Sequence, residues 1–367
     1  MSKKYFENLD GWRFIAACSV ILAHSPSCLP FQPDLTVTNF LLNFFKGIGG
    51  LAVNFFFVLS GFLITYIILQ EKENNHFTLK SFYIRRILRI WGVFYIVVLA
   101  SFILGSILPD NRLQITQVNY FYISTFLANF DVINIIQAGL RENFITNILW
   151  SVSVEEQFYL VYPILLIGIP KRQYVKLFIF IIFISLLFRW YNSSSNAVIA
   201  FHTLSVASDL IVGCLAAYLV FYKKGFENFF INLNSLLILS VYFLLAILLL
   251  VRYRFPLEFL KPFEALIFSA IFAFIILEQN YAAKSPFKIK NIPGLNFLGR
   301  FTYGMYCYHM IILILTASWF SEFTDSLNNF FIYILYILTC ILLTLGISIA
   351  SYYLMEVRLL KLKSKFD

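Results

Sequence analysis

The chain has 367 residues, of which 60% are hydrophobic and only 13% charged, with 43 Phe and 22 Tyr. A soluble core of this length could not hide that much apolar surface, so the composition excludes a water-soluble protein and indicates an integral membrane protein. The net charge of +9 could suggest nucleic acid, but the Lys and Arg residues fall between apolar runs and not on one polar face, which reads as a topology signal and no nucleic-acid partner.

A helix crossing ~30 Å of hydrocarbon takes about 20 apolar residues. Apolar runs lie at 12–29, 50–70, 87–108, 151–169, 174–190, 205–222, 231–251, 263–280, 297–320 and 328–355. They predict an all-α, polytopic bundle of about ten transmembrane helices, read as a single membrane domain over 1–367. A weaker stretch, 118–136, carries Asn119, Asn129, Asp131 and Asn134, and if it crossed it would reverse the side of every later loop. Loops rich in Lys and Arg stay cytoplasmic. With ten spans and both termini inside, the inner segments hold Arg85, Arg86 and Arg89, then Lys171, Arg172 and Lys176, then Lys223 and Lys224, then Lys284, Lys288, Lys290 and Arg300, and the tail Lys361, Lys363 and Lys365. That count places 109–150 outside as a loop; Arg252, Arg254 and Lys261 also fall outside and disagree with the rule. The scattered Cys18, Cys28, Cys214, Cys307 and Cys340 have no metal-ligand spacing and read as apolar filler, with no metal expected. Lys3 and Lys4 could open a signal peptide, but Arg13 leaves too short an apolar run before Cys18, so the first helix is expected to be retained. No repeat of 20 to 50 residues and no inverted pair of broken helices is visible.

Charged and polar side chains inside such runs are costly and need partners. In the first run Arg13 and His24 stand eleven positions apart, about three turns or ~16 Å, and return to nearly the same helix face. Asp10 precedes them. The second run contains Asn54 and then Ser60-Gly61, small enough to admit a neighbouring helix or a ligand. Arg85 and Arg89 are four apart with Arg86 between them, a fork cluster suited to phosphate and pyrophosphate; a positive-inside anchor is the other reading. Trp150-Ser-Val-Ser153-Val-Glu155-Glu156-Gln157-Phe-Tyr159-Leu-Val-Tyr-Pro163 places adjacent carboxylates at the head of an apolar run, on the side that His24 also reaches in the ten-span arrangement. A carboxylate holding one imidazole N–H would fix the tautomer and raise the basicity of the other nitrogen, as general-base catalysis requires. Later come Asp209, a further intramembrane charge, and Gly299-Arg300-Phe-Thr-Tyr303 leading to Tyr306 and His309, which share a helix face with Tyr303. Tyr303 alone also reads as an interface anchor. Glu356 and Arg358 read as an end-of-helix ion pair.

Taken in order, these motifs resemble the acyltransferase family 3 group of integral membrane acyl-transfer proteins. That pattern runs L-D-G-x-R with a His eleven residues later, F-F-V-L-S-G-F-L-I-T, R-R-x-x-R-I, W-S-L-S-V-E-E-Q-F-Y-L-x-Y-P and G-R-x-S-Y-x-x-Y-x-x-H. The chain carries it at Leu9–Arg13 with His24, Phe56–Thr65, Arg85–Ile90, Trp150–Pro163 and Gly299–His309, across nearly its whole length. Trp91 and Gly92 stand where the family often has Pro, His309-Met-Ile replaces H-x-P, and Glu356-Val-Arg358 replaces E-x-P. With 1–367 read as one membrane domain, the periplasmic hydrolase-like domain that many relatives carry is not expected here.

The resemblance implies a bacterial inner-membrane O-acyltransferase. It would move an acyl group, usually acetyl from acetyl-CoA, to a hydroxyl of an extracytoplasmic glycan or lipid-linked saccharide. His24 would act as general base or form an acyl-His intermediate, with Glu155 or Glu156 orienting it, and Arg13, Arg85, Arg86 and Arg89 would hold CoA. Asp10, Ser60, Trp150, Ser153, Gln157, Tyr159, Asp209, Arg300, Tyr303 and His309 would support the acceptor or the site. A transporter of acyl groups or lipid-linked sugars, without chemistry of its own, shares the buried charges and basic inner loops, and a non-catalytic membrane scaffold is a second rival.

Overall fold

The computed structural model describes residues 5–28, 36–107, 119–140, 144–254, 261–320 and 329–363, and no strand occurs among them. The helices used below are α1 (Glu7–Cys28), α2 (Thr36–Glu73), α3 (Leu79–Ile107), α4 (Tyr120–Ser124), α5 (Ala128–Gln137), α6 (Phe144–Asn147), α7 (Leu149–Gly168) and α8 (Tyr174–Tyr191). They continue with α9 (Asn196–Phe201), α10 (Thr203–Tyr222), α11 (Lys224–Ile231), α12 (Ser235–Arg254), α13 (Lys261–Tyr281), α14 (Leu295–Leu298), α15 (Thr302–Phe320), α16 (Asn329–Ser351) and α17 (Val357–Lys363).

Among the described residues, 8 helical stretches are long and apolar enough to cross a membrane, which makes the chain a polytopic helical membrane protein. The two expected spans that miss this measure are α1 and α7. Both are continuous helices of 22 and 20 residues. What lowers their hydropathy is the set of polar groups already singled out: Asp10, Arg13 and His24 in α1, and Glu155, Glu156 and Gln157 in α7.

The 118–136 stretch does not cross as one helix. It is divided into α4 and α5, with Phe126 between them at a φ of 58°, and the 10 residues of α5 rise only about 15 Å, half the hydrocarbon thickness. Asn119 caps α4, and its backbone N–H also reaches Asp131 Oδ2 at 3.4 Å, tying the two short helices together. Burial pushes the Asp131 carboxyl above the usual carboxylate range, against this N–H. The charges that broke the positive-inside count have a partial explanation as well, because Arg252 pairs with Glu264 across α12 and α13.

At the other end, the expected Glu356–Arg358 pair is absent among the described residues. The helix does not stop there: α16 passes through a π-helical segment, Tyr352–Glu356, into α17. Residues two apart on a continuing helix point in different directions, and Glu356 instead receives Ser351 Oγ at 3.5 Å while Arg358 faces outward.

Two compact units share the chain, and each is described by itself. The first comprises Met1–Arg13, Val53–Tyr83 and Ser151–Gly299; the second comprises Phe14–Ala52, Ile84–Trp150 and Arg300–Asp367. In the first, α10 packs on α8 and α13, and α2 crosses α10 at backbone contact. A Cβ on Gly61 would lie 1.8 Å from the Leu210 carbonyl oxygen, and one on Gly213 would lie 1.9 Å from that of Val58. In the second, α15 packs along α16, and Gly49 of α2 meets Ala23 of α1, whose neighbour is His24.

Gly61→Ala and Gly213→Ala are each expected to lower the melting temperature of the detergent-purified protein, because overpacking against a backbone atom costs about 1–3 kcal/mol. Better helix propensity returns at most about 1 kcal/mol. Gly168→Ala, with nothing within 4 Å, is the control and should leave stability unchanged or slightly raised. Equal melting temperatures for all three would remove the backbone crossing as the reason for these glycines.

Candidate active site

In the first unit the α2–α10 crossing holds Ser60 against α7. Ser60 Oγ donates to Glu155 Oε1 at 2.8 Å, and the Tyr159 hydroxyl reaches Glu155 Oε2 at 2.8 Å and Ser60 Oγ at 3.1 Å. Glu155 is therefore a positioned carboxylate whose two oxygens are both engaged by hydroxyls. One turn of α7 separates Glu155 from Tyr159, so the spacing that makes them neighbours is local, whereas Ser60 comes from a distant part of the chain. Glu156 is part-buried beside it, Ser153 is fully buried, and Gln157 accepts from Thr203 Oγ1 at the start of α10. Nearby in sequence, Thr65 and Tyr162 share a 2.6 Å hydroxyl contact that repeats the α2–α7 link one turn further along.

The same unit contains the Asp10–Arg13 pair, Arg13 Nη1 to Asp10 Oδ1 at 2.6 Å, with Tyr5 donating to the other carboxylate oxygen. Gly299 is needed beside it: a Cβ there would stand 2.2 Å from the Asp10 carbonyl oxygen. The Gly of the Gly299-Arg300 motif thus serves the Asp10 of the Leu9–Arg13 motif, and Arg300 itself is exposed.

Asp209 has a partner that the motifs did not indicate. Arg189, in the last turn of α8 and 2% exposed, places Nη2 at 3.3 Å from Asp209 Oδ2, while its Nε donates to the Ser205 carbonyl at 2.7 Å. Ser208 and Ser269 hydroxyls donate to Asp209 Oδ1 at 3.2 and 3.1 Å, and Asn54 Nδ2 donates to Ser269 Oγ at 3.0 Å. Arg189 Nη1 has no partner among the described residues. A lone arginine at the end of one apolar helix, with a lone aspartate in the next long one, was the available signal.

In the second unit two motifs far apart in sequence come together. His24 on α1 and His309 on α15 have ring centroids 5.2 Å apart, with His309 Nε2 at 3.4 Å from His24 Nδ1. His309 Nδ1 lies 2.6 Å from the Tyr306 carbonyl and His24 Nδ1 lies 2.9 Å from the Val20 carbonyl. A carbonyl only accepts, so each Nδ1 carries a hydrogen. Neutral His309 then offers a bare Nε2 toward the His24 Nδ1–H, and the free lone pair of His24 is left on Nε2. Within its own unit, His24 Nδ1 thus meets a backbone carbonyl and a second imidazole. Glu155 and Glu156 belong to the other unit.

Tyr303 and Tyr306, two turns and one turn before His309, donate to the carbonyls of Ile90 and Ile148 at 2.8 and 3.0 Å. They anchor α15 to α3 and to the residue preceding α7, so Tyr303 ties two helices together. Ser25 shares a 3.0 Å contact with the Tyr333 hydroxyl, which holds the turn after His24 against α16. On α3 the three arginines have different surroundings, Arg85 buried, Arg86 part-buried and Arg89 exposed, while Trp150 is part-buried. Among the described residues no three His, Cys, Asp or Glu side chains converge as a metal-ligand set would.

A profile described as an acyltransferase domain matches residues 6–353, which takes in every group above from Asp10 to Ser351. The chain belongs to the acyltransferase 3 family. It is 27% identical over 334 residues to a peptidoglycan O-acetyltransferase of Listeria monocytogenes, an alignment covering 86% of this chain and 50% of that protein. It is 34% identical over 220 residues to an uncharacterised protein of Haemophilus influenzae, covering 53% of this chain and 87% of the other. The chain thus spans about half the length of the Listeria relative. No solved structure matches it. Within this acyltransferase 3 chain, the family's first and last motifs meet through the His24–His309 contact, and its second and fourth through the Ser60–Glu155 hydrogen bond.

Proposed function

We propose that this chain is a membrane O-acyltransferase of the bacterial inner membrane, transferring an acyl group, acetyl in the first instance, from cytoplasmic acyl-CoA to a hydroxyl of an extracytoplasmic carbohydrate such as peptidoglycan, lipopolysaccharide or capsule. The observation that carries this reading is the contact of His24 with His309, with His24 Nδ1 2.9 Å from the Val20 carbonyl, an arrangement that leaves Nε2 as the basic nitrogen. In the reaction His24 Nε2 takes the acceptor hydroxyl proton as the oxygen attacks the thioester carbonyl. The carbon–sulfur bond then breaks, and the proton passes to the departing CoA thiolate. His309 holds the imidazole in the basic tautomer. Glu155 and Glu156 orient the reacting groups, and Arg13, Arg85, Arg86 and Arg89 bind the CoA phosphates, the chemistry for which planar guanidinium forks are suited. Family membership over residues 6–353 supports the reaction class.

The test uses the purified full chain in nanodiscs with radiolabelled acetyl-CoA and a cell-wall or surface glycan acceptor. Label on the glycan together with stoichiometric free CoA thiol is the expected result. A preparation that binds acetyl-CoA yet releases no thiol and labels no glycan would overturn the assignment in favour of a carrier without chemistry.

A further inference from the structure

In the first unit, the segment that follows α13, residues 282–299, is tied to the start of α1 by two buried amide side chains. Asn8 Nδ2 donates to the Gln279 carbonyl at 2.8 Å, and Asn8 Oδ1 accepts the Lys290 N–H at 3.1 Å. Donor and acceptor of this short amide are both satisfied, which is what permits its burial. Gln279, fully buried, grips the segment from the side of α13. Its Nε2 reaches the Phe287 carbonyl at 2.8 Å and the Tyr242 hydroxyl at 3.1 Å, and its Oε1 accepts the Ile289 N–H at 3.0 Å. Lys288 Nζ closes the tie by donating to the Glu278 and Gln279 carbonyls at 2.7 Å, a cation at a helix C-terminus.

What the tie holds is the Asp10–Arg13 pair. Ile289 lies so close to α1 that a Cβ on Gly11 would stand 2.8 Å from its Cγ1, and Gly299 sets the far end of the segment against the Asp10 carbonyl. Both Asp10 carboxylate oxygens are engaged, one by Arg13 Nη1 and one by Tyr5. The Arg13 side chain is 19% exposed, and among the described residues its Nε and Nη2 have no protein partner. A guanidinium fixed through one nitrogen, with the rest of its fork unspent, is preset to donate to phosphate oxygens.

We propose that Asn8 and Gln279 are positioning residues for acyl-CoA: by fastening 282–299 against α1 they hold the Asp10–Arg13 pair in the direction from which Arg13 Nε and Nη2 donate to a CoA phosphate. They act through Arg13 and without touching CoA. The proposal rests on the reading of Arg13 as a CoA ligand.

The test is the affinity of the full-length protein in nanodiscs for CoA, measured by isothermal titration, which needs no turnover. Arg13→Gln should weaken binding by about ten-fold or more, the scale of lost hydrogen bonds to a charged group. Asn8→Leu and Gln279→Leu should each weaken it by about five-fold. In the Arg13→Gln background neither should weaken it further, because groups that act through one guanidinium are not additive. Gly11→Ala pushes on Ile289 while leaving every hydrogen-bonding group in place, and it should also weaken binding. That variant decides the matter where the leucine variants do not accumulate in the membrane. Losses that add in the double variants overturn the positioning role and leave a tie that only holds the fold together. Unchanged affinity in Asn8→Leu and Gln279→Leu, or in Gly11→Ala where those two fail to accumulate, overturns it as well. Unchanged affinity in Arg13→Gln itself removes Arg13 as a CoA ligand, and with it the reading on which the proposal rests.

Discussion

Replacing His24 by Ala lowers acyl transfer by about 10²–10⁴-fold, the usual contribution of a positioned general base, with the protein still inserted and folded. The same assay distinguishes how His309 acts. His309→Leu leaves the His24 Nδ1–H with the Val20 carbonyl alone and removes the neighbouring acceptor, so we expect a loss of about 10–100-fold, the scale seen when a partner that orients a working side chain is deleted. His309→Gln keeps an acceptor oxygen near the 3.4 Å position and should recover most of that loss. His309→Lys presents only donors to a donor and should be the worst of the three. A purely structural His309 would make Leu, as an apolar filler of a fully buried position, better tolerated than Lys or Gln in stability and activity alike. The readout is kcat/KM for acetyl-CoA-dependent glycan labelling beside the melting temperature. If Leu and Gln retain equal kcat/KM, His309 does not set the tautomer.

Breaking the Arg189–Asp209 pair is the largest stability change expected from any substitution outside the histidine pair. Arg189→Met leaves Asp209 buried with only the Ser208 and Ser269 hydroxyls, and Asp209→Leu leaves a guanidinium at 2% exposure bonded chiefly to Ser205. Removing one member of a buried ion pair typically costs about 3–5 kcal/mol, so either variant should melt far below wild type in detergent or fail to accumulate in the membrane. The double variant Arg189→Met/Asp209→Leu removes both desolvated charges and should recover most of the loss, since replacing both members by apolar groups is often close to neutral. Melting temperatures of the two single variants and the double variant measure the coupling directly. Additive losses in the double variant would mean that the two charges act separately.

Much of this could be read from particular residues. Asp10, Arg13 and His24 marked α1, and Glu155 and Glu156 marked α7, because charge in an apolar run is costly enough to single out its helix. The same charge carried both helices below the hydropathy expected of a span. The 118–136 stretch was ambiguous for a related reason: its residues are apolar enough to bury in α5, yet the break at Phe126 is a backbone event with no proline or glycine to announce it. The Glu356–Arg358 pair was misread because a π-helical continuation leaves no mark in a sequence read as a helix end.

By itself, the sequence determined the class of protein, the membrane helices, the five ordered motifs and hence the family. Those depend on composition, local spacing and order, all of which are properties of the chain. Only the tertiary structure decided which groups meet: His309 beside His24, Ser60 on Glu155, Arg189 on Asp209, and Gly299 on the Asp10 carbonyl. These pairings join residues up to 289 positions apart, the separation of Asp10 and Gly299. Helical periodicity states which face a side chain takes but not which helix that face meets, and that choice is made by packing at glycine crossings such as Gly61 on Leu210.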